Sequence, residues 1–550
     1  MQKIKKPLSI ILTLLMLVTM IPFSSLTVSA GEAQLVGDFV LWTGVEGTDF
    51  KYENGVLTVL TGKHLIIQNQ NSRTTTTDRI YVAKDVSAYI EMLGVKIDVS
   101  QKGVPAFEIA EGSTGNVTIN LGLDVGIGSV GSDFVERSKN YLKSGYGCAG
   151  LQKNSDETYR GLFDQTEKTT GKLTIYGLGY LTAIGGECAA GIGGAFGKSS
   201  CNIEIAGGTV DAIATDSGEE ALWDGIGGGA GIGGGPSNSD VWVANPGGSA
   251  ANITISGGWV TATGAGGANA IGIGSLHRGD IGYCKNISIT GGYVELNAGY
   301  CGLCVGGAKE EQNHSITGGT VWMNSYSLFP EFTEWTTNMS YNNCIVYHDE
   351  KGQVYGNYTP PYGHLVEAGQ ILTIPKGTTL TIPKDTKLTN HGTIIKEGNL
   401  VINGDIVCNG HNYVDSVCTK CFKPCAHSKY TNGFCADCGK VTEEIKYNTA
   451  NNYYEISNAG ELLLFSEKTQ SESTINAVLT ADITLNEGTI TADSTGVRSW
   501  IPIDRNYAGT FDGNGYSISG LYLKSSDNFQ GFEKYGLALV ELFKIAKNNA

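Results

Sequence analysis

One phrase is written five times between Leu173 and Ser325: LTIYGLGYLTAIG, IEIAGGTVDAIA, ITISGGWVTATG, ISITGGYVELNA and HSITGGTVWMNS, beginning near Leu173, Ile203, Ile253, Ile287 and His314. Self-similarity at intervals of a few tens of residues means one supersecondary unit stacked on copies of itself. In the third copy Ile253 and Ile255 alternate with Thr254 and Ser256, Gly257-Gly258 interrupts, and Val260 and Ala262 resume the alternation. That is a period-two strand, a corner and a second strand. A second refrain lies between copies: AAGIGG from Ala189, AGIGGG from Ala230, AIGIGS from Ala270 and GLCVGG from Gly302. Its lone Ile or Val among glycines reads as a short inward-facing strand. The expected fold is all-β: a right-handed parallel β-helix, that is, a β-solenoid of short strands and Gly corners.

The 550 residues are too many for one compact core and suit an extended array with appendages. Gly is present 77 times with only 12 Pro and no collagen period, so the excess belongs to corners. Residues 1–30 read as a secretory signal: Lys3, Lys5 and Lys6 precede an apolar run from Leu8 to Phe23, and Val28-Ser29-Ala30 is a small-residue cleavage site. Loss of these three lysines takes the formal charge from −16 to −19, which disfavours nucleic acid as a partner. No later apolar run is long enough to cross a bilayer, so no transmembrane segment is expected. Export to the extracellular cell surface is the expected localisation.

In order along the chain, residues 31–77 read as N-terminal capping strands, needed because an open solenoid end exposes unpaired edges. Residues 78–327 form the Gly-rich β-helix. Residues 328–407 continue it after a break at Pro360-Pro361, with LTIPKGTT from Leu372 and LTIPKDTK from Leu380 as a tighter repeat. A Cys/His-rich, zinc-ribbon-like module covers 408–440. A partial β-rich module covers 446–525, with Asn458 to Glu461 as a capping box before a short helix, and Asp512-Gly513 and Asn514-Gly515 as turns.

Residues 78–325, with KSGYGCAGLQKN, AGIGGG and ITISGGxVTATG, resemble the β-helical, Gly-rich surface proteins of gut Firmicutes described as adhesin-like or carbohydrate-binding-domain proteins. The segment YYEISNAGELLLF…AVLTADITL…GTFDGNGYSISGLYL resembles the module that precedes GLUG motifs in large secreted surface proteins, some immunoglobulin A peptidases among them. The resemblance implies architecture and a surface role, and it carries no catalytic signature. After LYLKSSDNFQG the pattern departs into FEKYGLALVELFKIAKNNA, so residues 526–550 are an atypical tail and a truncated or shifted reading frame is expected.

Three places carry candidate chemistry. Cys408, His411, Cys418 and Cys421 are followed by Cys425, His427, Cys435 and Cys438, the same ligand order twice. Each half supplies the four groups that a closed, tetrahedral, structural Zn²⁺ site takes. Export favours a disulfide alternative, which the histidines do not, and unpaired thiols remain a third reading. Cys148, Cys188, Cys201, Cys284, Cys301, Cys304 and Cys344 read as small buried hydrophobes of the stack. Second, Asp211, Asp216, Glu219, Glu220 and Asp224 form an acidic cluster that reads as a solvated loop, with Ca²⁺ as an alternative. Third, Trp259 and Tyr293 occupy the same place in successive copies, Thr209 and Thr320 occupy it in the flanking ones, and Trp322 shares that side by alternation. Their rings would make an outward strip on which a sugar rests, or an ordinary surface ladder.

The chain has no Asp-Asp pair, no HExxH and no GxSxG with triad partners. The expectation is a secreted, non-enzymatic cell-surface solenoid for adhesion or glycan binding, its partner a polysaccharide or a host or cell-surface glycoprotein. The alternatives are a polysaccharide-active β-helix, lyase or hydrolase, that uses the acidic loop with Lys198 or Arg278, and a structural spacer.

Overall fold

The computed structural model describes residues 33–123, 137–155, 170–215, 227–236, 248–275, 283–299, 304–306, 310–324, 339–408, 410–488, 497–501, 503–504 and 506–522. The expected signal sequence and the atypical tail lie outside them. The chain divides into two compact units, one of residues 1–364, 369–386 and 394–404, the other of 365–368, 387–393 and 405–550.

The first unit is a parallel β-helix built on three sheets of twelve, eleven and nine strands. Each of the first four copies of the repeat gives one strand to each sheet. Leu173–Gly177 lies in the twelve-stranded sheet, Tyr180–Glu187 in the eleven-stranded and Ile192–Gly193 in the nine-stranded; the next copy supplies Ser200–Ile205, Thr209–Thr215 and Ile232–Gly233. Leu173 pairs with Ile203, Ile203 with Ile253 and Ile253 with Ile287, all parallel, and Ser288 pairs with Ser315. The refrain forms the third side, where Ile192, Ile232, Ile271 and Val305 pair in succession and are buried. The alternation works as expected: Ile253, Ile255, Val260 and Ala262 face the core, while the Thr side chains between them are only partly covered.

The corner needs its glycine. Gly258 has φ +85, and a Cβ there would stand 2.5 Å from the carbonyl oxygen of Gly208 in the coil below. One residue before the alternating core run of each first strand an Asn also adopts positive φ: Asn202, Asn252 and Asn286 within their strands and Asn313 just before His314–Ile316, at 57, 54, 56 and 61°. Asn tolerates this region better than other residues with a Cβ. Their amides form a ladder in which Asn252 Nδ2 donates to Asn202 Oδ1 (3.0 Å) and Asn286 Nδ2 to Asn252 Oδ1 (2.8 Å).

At the N-terminal end Gln34–Val36, Phe39–Leu41 and His64–Asn69 pair antiparallel, as a cap should, and Phe50–Glu53 forms a hairpin with Val56–Val59. Parallel stacking already starts at Val56–Val59 and His64–Asn69, ahead of Asp78. At the other end Cys344–His348 meets Lys351–Tyr355 antiparallel, and parallel pairing resumes with Ile371–Ile374. The eight-residue repeat is not two stacked coils. Ile371–Ile374 and Thr379–Ile382 sit in different sheets, and Thr379–Ile382 pairs with Asn399–Ile402.

In the second unit Lys387–Asn390 pairs parallel with Asp405–Cys408. After the Cys/His segment, Tyr453–Ile456, Ala477–Leu479 and Phe511–Asp512 pair parallel in that order, and Ile483–Thr484 pairs with Ile518–Ser519. Asn514 and Gly515, both at positive φ, thus turn a corner between two sheets rather than close a hairpin. The helix Ala459–Thr469 is capped by Asn458, whose side chain accepts from Glu461 N; Glu461 in turn accepts from Ser457 N. Among the described residues no helix is long and apolar enough to cross a membrane.

Candidate metal centres and an aromatic column

The Cys/His segment folds into two small loops of one design. In the first, Tyr413–Val414 and Val417–Cys418 form a hairpin; Cys418 N donates to Lys423 O and Phe422 N to Cys418 O. In the second, Tyr430–Thr431 and Phe434–Cys435 form the hairpin; Cys435 N donates to Lys440 O and Gly439 N to Cys435 O. Gly439 has φ +73, and its counterpart Phe422 is held at +57, a conformation that suits glycine better. These loops present each CxxC pair on one turn. The other two ligands come from the preceding segment, and Cys408 is itself the last residue of the strand Asp405–Cys408.

All eight predicted ligands are brought together, in the two groups of four that the spacing implied, with the donor atoms of each group within 4.8 Å of one another. Cys408 Sγ and Cys421 Sγ each lie 3.5 Å from His411 Nδ1, and Cys438 Sγ lies 3.5 Å from His427 Nδ1. The sulfur pairs Cys408–Cys418 and Cys425–Cys435 stand 4.0 and 3.4 Å apart. Metal bonds of about 2.3 Å to sulfur and 2.0–2.1 Å to nitrogen, at tetrahedral angles, put sulfurs about 3.8 Å apart and sulfur about 3.5 Å from nitrogen. A disulfide would need about 2.05 Å. The described cysteines form no disulfide, and each half could hold one metal ion.

Crowding polarises the thiols. Burial resists ionisation of Cys418, but the bond with His411 and the surrounding backbone N–H groups outweigh it and bring the thiol down to about 6. Backbone N–H donors, Cys438 first, bring Cys435 to about 6. Their partners move the other way: burial and the neighbouring sulfurs push Cys408 up to about 12. Four donors packed so closely favour one shared positive charge over independent protons.

The aromatic residues lie where the register expectation put them. Tyr180, Thr209, Trp259, Tyr293 and Thr320 follow one another in one column of the eleven-stranded sheet. Trp259 stacks on Tyr293 with centroids 4.3 Å apart and planes 12° from parallel; Trp322 lies 6.0 Å from Tyr293 and 5.6 Å from Tyr347. An open strip of three rings is not what results. Tyr293 is only 8 % exposed, because the segment 357–364 crosses the column and Tyr293 Oη donates to Gly363 O at 2.7 Å. Stacking uses the ring faces, so the half-buried Trp259 and Trp322, with Tyr362, 51 % exposed and 6.5 Å from Trp259, are what this patch shows to solvent.

Sequence reasoning missed this crossing segment. Tyr347 Oη and His364 Nε2 are 2.7 Å apart, both buried, and Thr320 Oγ1 and Tyr358 Oη are 3.3 Å apart. The aromatic residues on either side of Pro360-Pro361 were its only signal. A buried lysine was missed as well: Lys153 Nζ donates to Cys201 O (2.6 Å) and Thr170 Oγ1 (3.1 Å), and burial brings it down to about 8.

Of the acidic cluster, Asp216, Glu219, Glu220 and Asp224 lie outside the described residues, as do Arg278 and Cys301; Asp211 is a partly covered residue of Thr209–Thr215. Lys198 Nζ is 3.1 Å from Glu111 Oε1. Cys188, Cys284, Cys304 and Cys344 are buried in the stack, and Cys148 and Cys201 are half-buried. Compared with family models, with curated proteins and with solved structures, the chain matches none.

Proposed function

We propose that the chain is a secreted, non-enzymatic cell-surface β-helix protein that uses an outer sheet face for adhesion through glycan binding, and that the two Cys/His groups hold structural Zn²⁺. The observation that supports the surface role is the aromatic patch of Trp259, carried on a sheet whose register stays fixed from coil to coil, and Tyr362 on the segment that crosses it. Flat aromatic surface beside hydroxyl and carboxylate groups is what a sugar ring meets in a binding site. The donor sets, three sulfurs and one nitrogen at tetrahedral spacing, support zinc.

A glycan array probed with the full chain from Gly31 tests the surface role. The expected result is binding to a polysaccharide that Trp259→Ala weakens without lowering the melting temperature. Product release from any arrayed polysaccharide would replace this reading by an enzymatic one.

A further inference from the structure

We propose that the coil between Tyr180 and Trp259 is a binding slot for a single pyranose ring, floored by Thr209. This rests on the glycan-binding reading and names the place and size of the sugar it takes. The column runs Tyr180, Thr209, Trp259, Tyr293. Trp259 gives one ring face to Tyr293, so its other face looks toward the coil of Thr209. Thr209 is a small residue where both neighbouring coils carry a large ring, and Tyr180, Thr209 and Trp259 are all partly open to solvent.

The spacing decides what fits. Adjacent strands lie about 4.8 Å apart, so Tyr180 and Trp259 stand about 9.6 Å apart at the backbone. A guest needs about 3.5–4.0 Å of carbon contact on each side, or about 7–8 Å for a flat aromatic ring. The remainder suits the thicker chair of a saturated sugar, whose C–H groups would meet both aromatic faces.

One residue pair further along, Asp211 stands between Thr182 and Thr261 in the neighbouring column. A carboxylate and two hydroxyls beside the slot are acceptors and donors for sugar hydroxyls, and the carboxylate disfavours a uronate there. The occupant is an uncharged or amine-bearing pyranose within a longer chain. From Tyr180 to Tyr293 the repeat sets this up by leaving out the one ring at Thr209; the ring missing at Thr320 leaves no such slot, since Tyr358 Oη stands 3.3 Å from its hydroxyl.

The test titrates the full chain from Gly31, by calorimetry, with cellohexaose, mannohexaose, chitohexaose and an oligogalacturonate. Binding to at least one of the first three, and weaker binding to the oligogalacturonate, is expected. Tyr180→Ala and Trp259→Ala should each weaken it about tenfold, the upper end of what one aromatic contact contributes. Thr209→Trp fills the slot with the chain's own ring and should abolish binding while the melting temperature holds or rises. Asp211→Ala should weaken binding, and Trp322→Ala should leave it unchanged. Affinity that survives both Thr209→Trp and Tyr180→Ala overturns the slot and leaves glycan binding standing elsewhere. A wild-type chain that binds none of the four oligosaccharides overturns both. Should Thr209→Trp fail to fold, Tyr180→Ala carries the decision alone.

Discussion

The solenoid and the Cys/His segment solve the same problem by opposite means. In the solenoid Ile175, Ile205, Ile255, Ile289 and Ile316 are each at most 1 % exposed, one above another, and the core continues through every coil. From 410 to 432 the buried residues are Cys418, Cys421 and Cys425, all of them candidate ligands. Such a segment has almost no apolar area to set against the entropy of ordering its backbone. The second loop is a partial exception. Its Phe434 belongs to a core with Ile445, Ile456, Leu462 and Phe465, and the Arg498 guanidinium lies 3.5 Å over the Phe434 ring. One region is thus held by what the chain buries, and the other by what its side chains can bind.

The sharpest way to break this contrast is to remove metal. Elemental analysis of protein purified without added zinc should find two Zn²⁺ per chain, and a chelator should expose the amides of 410–432 to hydrogen exchange before those of the second loop. Structural zinc contributes on the order of 10 kcal/mol in small modules, so the effect should be all or none. Affinity should fall as pH drops, because thiols ligate as thiolates. Unchanged exchange after chelation would mean that the segment is held by something other than metal.

A core truncation in the solenoid comes next in size. Ile255→Ala should cost about 4 kcal/mol, since a buried Ile loses both its transfer energy and the fit around it. Denaturant unfolding should report this loss with two metals still bound, whereas Cys421→Ser should lose one metal and leave the solenoid transition in place. If either variant showed the other's signature, the two regions would not be independent.

The smallest effect concerns acid. Complete burial brings His364 from its usual 6.5 down to about 4, so the folded chain binds fewer protons there than the unfolded one between these values. Its contribution is therefore intact above about pH 6.5 and lost as pH falls to about 4, at a cost of about 3 kcal/mol. The difference between wild type and His364→Gln, followed by fluorescence of the aromatic column at pH 7, 5.5 and 4.5, should shrink over that window. A difference that stays constant with pH would show that His364 does not titrate in this way.

The repeat made the coil legible because stacking forces equivalent residues into register, and Leu173, Ile203, Ile253, Ile287 and His314 each start a copy as read. The metal groups were legible for a similar reason, since ligand spacing within a tight loop survives any arrangement of the rest. Turn chemistry was less informative: Asn514-Gly515 fixes a local reversal and says nothing about whether the strands it joins will pair with each other. The segment 357–364 left the least trace. It has no period, and it covers Tyr293 through a backbone carbonyl at Gly363, a contact that any residue type could supply. The open aromatic strip therefore could not be separated from a covered one by sequence.

The asparagine ladder carries an implication for how such a chain changes length. Asn252 and Asn286 each use an amide hydrogen on the Asn oxygen of the coil before, while Asn202 begins the ladder on the Thr170 carbonyl, so the inner rungs are interchangeable with one another. Excising the coil that contains Asn252 would let Asn286 reach Asn202 on the same terms, and duplicating it would insert a rung without disturbing either neighbour. The segments between strands can differ in length while the rungs do not. A lineage that copies or deletes whole coils would thus shorten or extend its reach in steps of about 4.8 Å, with nothing else to redesign.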